Sequence, residues 1–513
     1  MTINGHMKEF NKKKEEIELD KELVKKQHEK GKLTAEERLA LLLDEGSFTE
    51  IDEFVELKSH DFELQKKKKA RDGVIIGYGK VNKRPVCVYA QDFTFMGGSM
   101  GEMHNRKIAK VMDFALKIGC PVIGLFDSGG ARIQEGINGL DGGGHIFKMN
   151  THCSGVIPQI SAILGPCAGI AVYSPALTDF VFMVDKVSYM FITGPDVIKS
   201  VTGEKVDFMD LGGANIHGKK SGVANFVAGS EKECILKIKK LLTYLPQNNL
   251  DSPMSIDMGD SKKRMNNSLN DIVPTDPKKS YDVKDVITEV VDKNSFFEVH
   301  AEYAQNCVVG FARLNNTVIG IMANQPKILA GCLDINSSDK IAKFVRTCDA
   351  FNIPLINFVD VTGFLPGTDQ EYNGIIRHGA KILYAYSEAT VPKISLVMRK
   401  AYGGAYIALV SKEMGYDYVL SWPMAEIAVM GSEQAVNILF RKEISSAKGD
   451  KIKKEKINEF SSKFMNPYVA AKEGKIDKVI DPKETRVHLI NALEMLLSKR
   501  EKRPSKKHGN IPL

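Results

Sequence analysis

Ile108-Ala109-Lys110 leads to Pro121-Val122-Ile123-Gly124-Leu125-Phe126-Asp127, and Ile341-Ala342-Lys343 leads to Pro354-Leu355-Ile356-Asn357-Phe358-Val359-Asp360. The two blocks run in step 233 positions apart, from Ile108 and Ile341 to Asp127 and Asp360, without a gap. The correspondence extends outward. Upstream, Gly73–Asn82 answers Cys307–Asn315; downstream, Val156–Ser161 answers Thr390–Ser395. The same elements recurring in the same order indicate an internal duplication, hence two homologous domains.

Each copy has a direct physical reading. Ile108, Val111, Met112, Ala115 and Leu116 fall on one helical face, as do Ile341, Phe344, Val345 and Cys348. A Pro then opens a short, almost wholly apolar run, the pattern of a strand buried on both faces. Each run stops at an Asp followed by a Gly-containing loop, Asp127–Arg132 and Asp360–Gly367. Strands alternating with helices predict a layered α/β fold, with sites in loops beyond the strand ends. The Pro- and Lys-rich stretch from Pro246 to Lys279 has neither period and is expected to link the copies.

Composition removes several classes. The 513 residues include 71 Lys+Arg against 64 Asp+Glu, 43% hydrophobic and 26% charged residues, which excludes a mainly disordered or disulfide-rich chain. The net charge of +7 is small, and the lysines of Lys8–Glu16 and Lys21–Lys32 alternate with acids, as on solvated helices. Nothing calls for nucleic acid, and the run Lys66–Lys69 reads as a solvated loop. The eight cysteines contain no C-x-x-C pair, so a thiol-rich interior in a reducing cytoplasm is expected. Met1–Asp20 has no apolar segment of a secretory signal. Val156–Val184 is broken by Pro158, Pro166, Pro175 and Asp179, so it is read as core and no membrane insertion is expected.

Each copy also carries a Gly-rich turn after a strand, Gly165–Ala171 and Arg399–Tyr406. Small residues let backbone N–H groups approach a ligand, and two such amides at a helix start stabilise a developing oxyanion. Other motifs are weaker. Gly97-Gly98-Ser99-Met100-Gly101 fits G-x-S-x-G, but no Asp and His follow as obvious partners. Gly213–Lys220 has Walker-like glycines with Lys220 where Ser or Thr is required. His378 reads as structural, Asp127 and Asp360 as turn or helix caps, and no metal site is expected.

Longer strings carry a resemblance. Gly31–Gly46, Asp127–Gly136, Tyr173–Asp179, Gly331–Ser337, Gly374–Ala380, Arg399–Tyr406 and Asn466–Ala471 resemble carboxyltransferase (beta) subunits of biotin-dependent acyl-CoA carboxylases of the acetyl-/propionyl-CoA type. The resemblance implies an α/β fold of two homologous crotonase-like ββα domains in tandem. It places an N-terminal helical extension at 1–30, the N-terminal carboxyltransferase domain at 31–255, a linker at 256–284 and the C-terminal domain at 285–505. It also implies a homohexamer, a trimer of dimers, in the cytoplasm.

By the same resemblance, carboxyl passes from N1′-carboxybiotin on a separate carrier protein to the α-carbon of a short-chain acyl-CoA. Gly169 and Ile170 would then hold the thioester carbonyl, and Gly404 and Ala405 the biotin ureido oxygen. Gly129, Gly130 and Tyr173 would contact substrate, and Ile407 would floor the acyl pocket. The family usually has two glycines in the first turn; here Ile170 must turn its side chain away from the thioester. No M-K-M biotinylation site and no convincing ATP motif occur, so a biotin carboxylase and a biotin carrier are expected as partners. Two alternatives stay open: the carboxyltransferase subunit of a biotin-dependent methylmalonyl-CoA decarboxylase coupled to a sodium pump, and a non-catalytic core that docks the carrier.

Overall fold

The computed structural model describes residues 2–17, 21–59, 61–67, 69–445 and 449–513. Met1, residues 18–20 and Lys68 of the lysine run lie outside them; Lys66 of that run pairs with Glu63 on the surface. The chain divides into two compact units, Met1–Ser252 and Pro253–Leu513.

In the first unit the strands are β1 (Thr49–Ile51), β2 (Val74–Val81), β3 (Arg84–Gln91), β4 (Val122–Ser128), β5 (Gln159–Ala168), β6 (Phe180–Val184), β7 (Tyr189–Phe191) and β8 (Phe226–Ala228). They form one sheet in the order β1-β2-β3-β4-β5-β6-β8, with β7 added on β5. The second unit contains β9 (Phe297–Val299), β10 (Cys307–Leu314), β11 (Thr317–Asn324), β12 (Leu355–Val361), β13 (Lys393–Tyr402), β14 (Tyr418–Ser421), β15 (Glu426–Ala428) and β16 (Lys478–Val479). Its order is β16-β14-β13-β12-β11-β10-β9, with β15 on β13. The topology is the same. In both, an antiparallel edge hairpin continues into parallel strands.

The duplication is therefore structural down to the turns. The β2–β3 hairpin turns on Asn82 and Lys83, and β10–β11 on Asn315 and Asn316, all four left-handed, as a two-residue hairpin turn of this hand requires. The helices Glu102–Ile118 and Ile335–Ala350 bury the faces read from their periodicity, with Leu116 only half-buried, and β4 and β12 are buried at every position. Each helix also ties down the segment before its hairpin. Lys107 Nζ donates to the carbonyls of Arg71 and Val74 at 2.9 and 2.6 Å. Lys340 Nζ donates to those of His300, Tyr303 and Cys307 at 3.0, 2.7 and 2.8 Å. Buried carbonyls need such partners. The eight cysteines are free thiols, and all but Cys332 are buried. Among the described residues no helix is long and apolar enough to cross a membrane.

Candidate active site

The geometry beyond the strand ends begins with a fault in the sheet. Between Phe126 and Ser128 the β4–β5 register slips, and between Val359 and Val361 so does that of β12–β13. Asp127 and Asp360 sit at these slips. A bulge leaves backbone groups unpaired and bends the strand beyond it; here buried ions fill the gap. Asp127 accepts from Lys32 Nζ at 2.7 Å and from Arg38 Nη1 at 2.9 Å. Arg38 also binds Glu231 through Nε and Nη2, at 2.7 and 2.8 Å, and the Leu164 carbonyl at 2.9 Å. Burial opposes the charge on Arg38, but the Glu231 and Asp127 carboxylates outweigh it and raise its pKa. In the second unit Arg399 Nε, itself from the bulged stretch of β13, donates to Asp360 at 2.9 Å, and Tyr281 adds a hydroxyl donor at 3.0 Å.

Both aspartates are thus anchors of strand ends, not the turn or helix caps their local sequence suggests. Their side chains are 0% and 1% exposed, and each is held in an ion pair. Gly165 is required beside this network: a Cβ there would collide with Asp127 Oδ1.

Each anchored strand runs directly into its turn. After β5, Gly169 is left-handed (φ +59°) and opens a short 3-10 turn, Gly169–Val172, with no side-chain cap. After β13, Gly403 is left-handed (φ +57°) and opens the helix Gly403–Val410, also uncapped by any side chain. The first amides of a helix have no intrahelical partner, so Gly404 and Ala405 present donors at a positive helix end.

The side chain of Ile170 turns toward the core. It packs on the helix Ile137–Cys153, where a Cβ on Gly143 would collide with its Cδ1, and joins the hydrophobic core of its unit. The space beside the Gly169 Cα stays open: a Cβ placed there would meet only the Ile192 carbonyl, at 3.9 Å. In the second turn Gly404 has no side chain, and the Phe364 ring lies against Gly404 and Gly379.

The remaining residues singled out by sequence fall around these turns. Gly130 is left-handed (φ +102°), and a Cβ there would come within 2.7 Å of the Ala168 carbonyl, the residue before the first turn. Gly129 lines a cleft of about 540 Å³ together with Ala131, Ala168, Tyr189 and Phe191. Tyr173 is 45% exposed and meets Phe147 edge-on. Ile407 is 48% exposed, so it is not core of its own unit.

Sequence reading missed the aromatic wall of that cleft. Tyr189 and Phe191 stack 5.3 Å apart, and Phe208 lies 5.2 Å from Tyr189. The signal was faint, an alternating Tyr-x-Phe in a three-residue strand.

The competing motifs dissolve. Ser99 has ordinary extended backbone and accepts from Arg132 Nε at 3.3 Å. Residues Ala214–Lys219 are helical, not a phosphate-binding loop. His378 is held by Asp339 at 2.9 Å. His104 is buried, donating from Nδ1 to the Asp72 carbonyl and accepting from Gln91, and burial followed by the Arg132 charge pushes its pKa down to about 3. What remains, among the described residues, is two turns of main-chain donors that no side chain caps.

Known proteins resemble the chain over its length. Residues 26–511 match the family described as carboxyl transferase domain. The chain is similar to methylmalonyl-CoA decarboxylase subunit alpha of Propionigenium modestum, 55% identical over 99% of each chain. It is similar to the carboxyltransferase subunit of propionyl-CoA carboxylase of Haloferax mediterranei, 54% identical over the full length of both. Among solved structures it superposes on transcarboxylase 12S, a hexamer crystallised with methylmalonyl-coenzyme A and methylmalonic acid, with a TM-score of 0.97, 52% identity and coverage of 100% and 99% of the two chains.

Proposed function

The chain belongs to the carboxyl transferase domain family, and from that membership we propose that it moves a carboxyl group between N1′-carboxybiotin and the α-carbon of a short-chain acyl-CoA, forming methylmalonyl-CoA or malonyl-CoA. The observation that carries the reading is the matched pair of uncapped amide turns, Gly169–Ile170 and Gly404–Ala405, each behind an anchored strand end. The chemistry needs two oxyanion holes and little else from the protein.

The Gly169 and Ile170 amides receive the thioester oxygen and hold the negative charge that develops there as the α-proton leaves; preorganised donors do this without reorganisation. The Gly404 and Ala405 amides receive a ureido oxygen. Exposed Gly404 beside the flat Phe364 ring fits a small cyclic urea. Carboxybiotin would supply the carboxyl group and, relieved of it, a nitrogen basic enough for the α-proton, so the reaction calls for no side-chain base. Ile407 gives the acyl end an apolar contact. Gly129, Gly130 and Tyr173 shape the approach to the first turn.

The carrier and the biotin carboxylase are separate chains in this reading, and the working form is a homohexamer. Ile133, Ile137 and Ile192 near the first turn are 64–86% exposed, as are Tyr372, Ile376 and Val429 near the second at 78–85%. Apolar surface of that kind marks an interaction face, and a second copy would cover it.

The test is carboxyl transfer from carboxybiotin to acetyl-, propionyl- and butyryl-CoA by the purified chain. We expect transfer with at least propionyl-CoA, and its loss by on the order of 10²–10³ in Gly404→Val. Absence of transfer to every acyl-CoA overturns the proposal and favours a carrier-docking core. The 55% identity to a decarboxylase subunit supports a second reading, the same transfer run in reverse. Partner capture separates the two: a biotin carboxylase supports the first, an integral-membrane decarboxylase the second.

A further inference from the structure

We infer that Tyr402 and Phe364 close, in the second unit, the cleft that the first unit keeps open, and so bar acyl-CoA from the second amide turn. This rests on the carboxyl-transfer function and deepens it, naming the side chains that assign each turn its ligand.

Because the two units share topology and register, their walls can be compared place by place. β5 pairs with β7 at Ala168 and Phe191; β13 pairs with β15 at Tyr402 and Ala428. The sizes are exchanged. In the first unit Ala168, Tyr189, Phe191 and Gly194 line the 540 Å³ cleft, whose stacked rings form one flat wall. In the second unit Tyr402 occupies the place of Ala168 and leans onto the neighbouring strand β15. Its hydroxyl donates to Glu426, which stands where Tyr189 stands. Its ring edge lies 3.8 Å from where a Cβ on Gly431 would stand, and Gly431 follows Ala428 as Gly194 follows Phe191. The ring thus lies along the segment from Glu426 to Gly431 that begins with β15, and Tyr402 is only 8% exposed.

Phe364 completes the closure. The bridge Leu333–Phe364 corresponds to Met100–Ala131, so a phenyl ring takes the place of a methyl group lining the first cleft. It lies 3.7 Å from where a Cβ on Gly404 would stand. Space for a small ring remains at the exposed Gly404, while the walls a long thioester would pass carry two side chains larger than their counterparts Ala168 and Ala131. Excluding the wrong ligand by bulk is a standard source of specificity.

The experiment counts propionyl-CoA molecules bound per chain by equilibrium dialysis of the assembled protein. Wild type binds one. Tyr402→Ala, with unchanged oligomer size and circular dichroism, binds a second, and propionyl-CoA becomes competitive against free biotin. Tyr402→Phe keeps the ring and still binds one. A folded Tyr402→Ala that binds only one molecule overturns the inference. Should that variant fail to fold, Ala168→Tyr decides: binding falls from one to none if this wall position gates the cleft, and persistence of one molecule overturns the inference. Wild type that binds none would instead sink the carboxyl-transfer function itself.

Discussion

At the scale of single residues, the first turn separates what a side chain does from what its amide does. Ile170 fills the space over Gly143 with its side chain, while the proposed chemistry uses only its N–H. Ile170→Ala should lower thermal stability, as truncation of a half-buried aliphatic does, yet leave transfer within a few-fold. Ile170→Pro removes the donor and should lower transfer by on the order of 10²–10³. Equal activity in both variants would place the thioester oxygen elsewhere. Ile407 sits exposed one helical turn beyond Gly403. Ile407→Asp should shift the acetyl/propionyl rate ratio, and an unchanged ratio would remove it from the acyl pocket.

At the scale of elements, the turns depend on strand ends locked by buried charge. Arg38→Met leaves Asp127 and Glu231 without their shared cation, a loss of about 3–5 kcal/mol that denaturant unfolding would register. His104, on the helix Glu102–Ile118, sets a second expectation. Its folded pKa of about 3 lies below the ordinary 6.5, so between these values the unfolded chain binds the extra proton. Its contribution is full above pH 6.5 and is lost as pH falls toward 3, about 2 kcal/mol by pH 5. His104→Gln should lose less stability than wild type on acidification through that window, measured as the urea midpoint. The duplication was legible in sequence because helix and strand kept their spacing from Ile108 to Asp127 and from Ile341 to Asp360. The role of the aspartates was not. A local pattern of Asp before Gly suggests a cap, whereas Arg38 reaches Asp127 and Glu231 across 89 and 193 positions. The aromatic wall escaped for the same reason: Tyr189 and Phe191 become a surface only through pairing with β5.

At the scale of the whole molecule, each unit carries exposed apolar residues beside its turn, and the proposed assembly has to cover them. Ile376→Glu should shift sedimentation toward smaller species and abolish transfer while circular dichroism stays unchanged; a full-size, active oligomer would show that this face is not buried between copies. The duplicated sheet has one more consequence. The left-handed bend at Met96, Gly97 and Gly98 is repeated at Leu329, Ala330 and Gly331, although the side chains differ, so the frame tolerates exchange on its inner walls without being redrawn. Ligand preference in such a chain can drift by a few wall substitutions while the scaffold stays fixed, leaving one half free to keep its guest as the other acquires a new one.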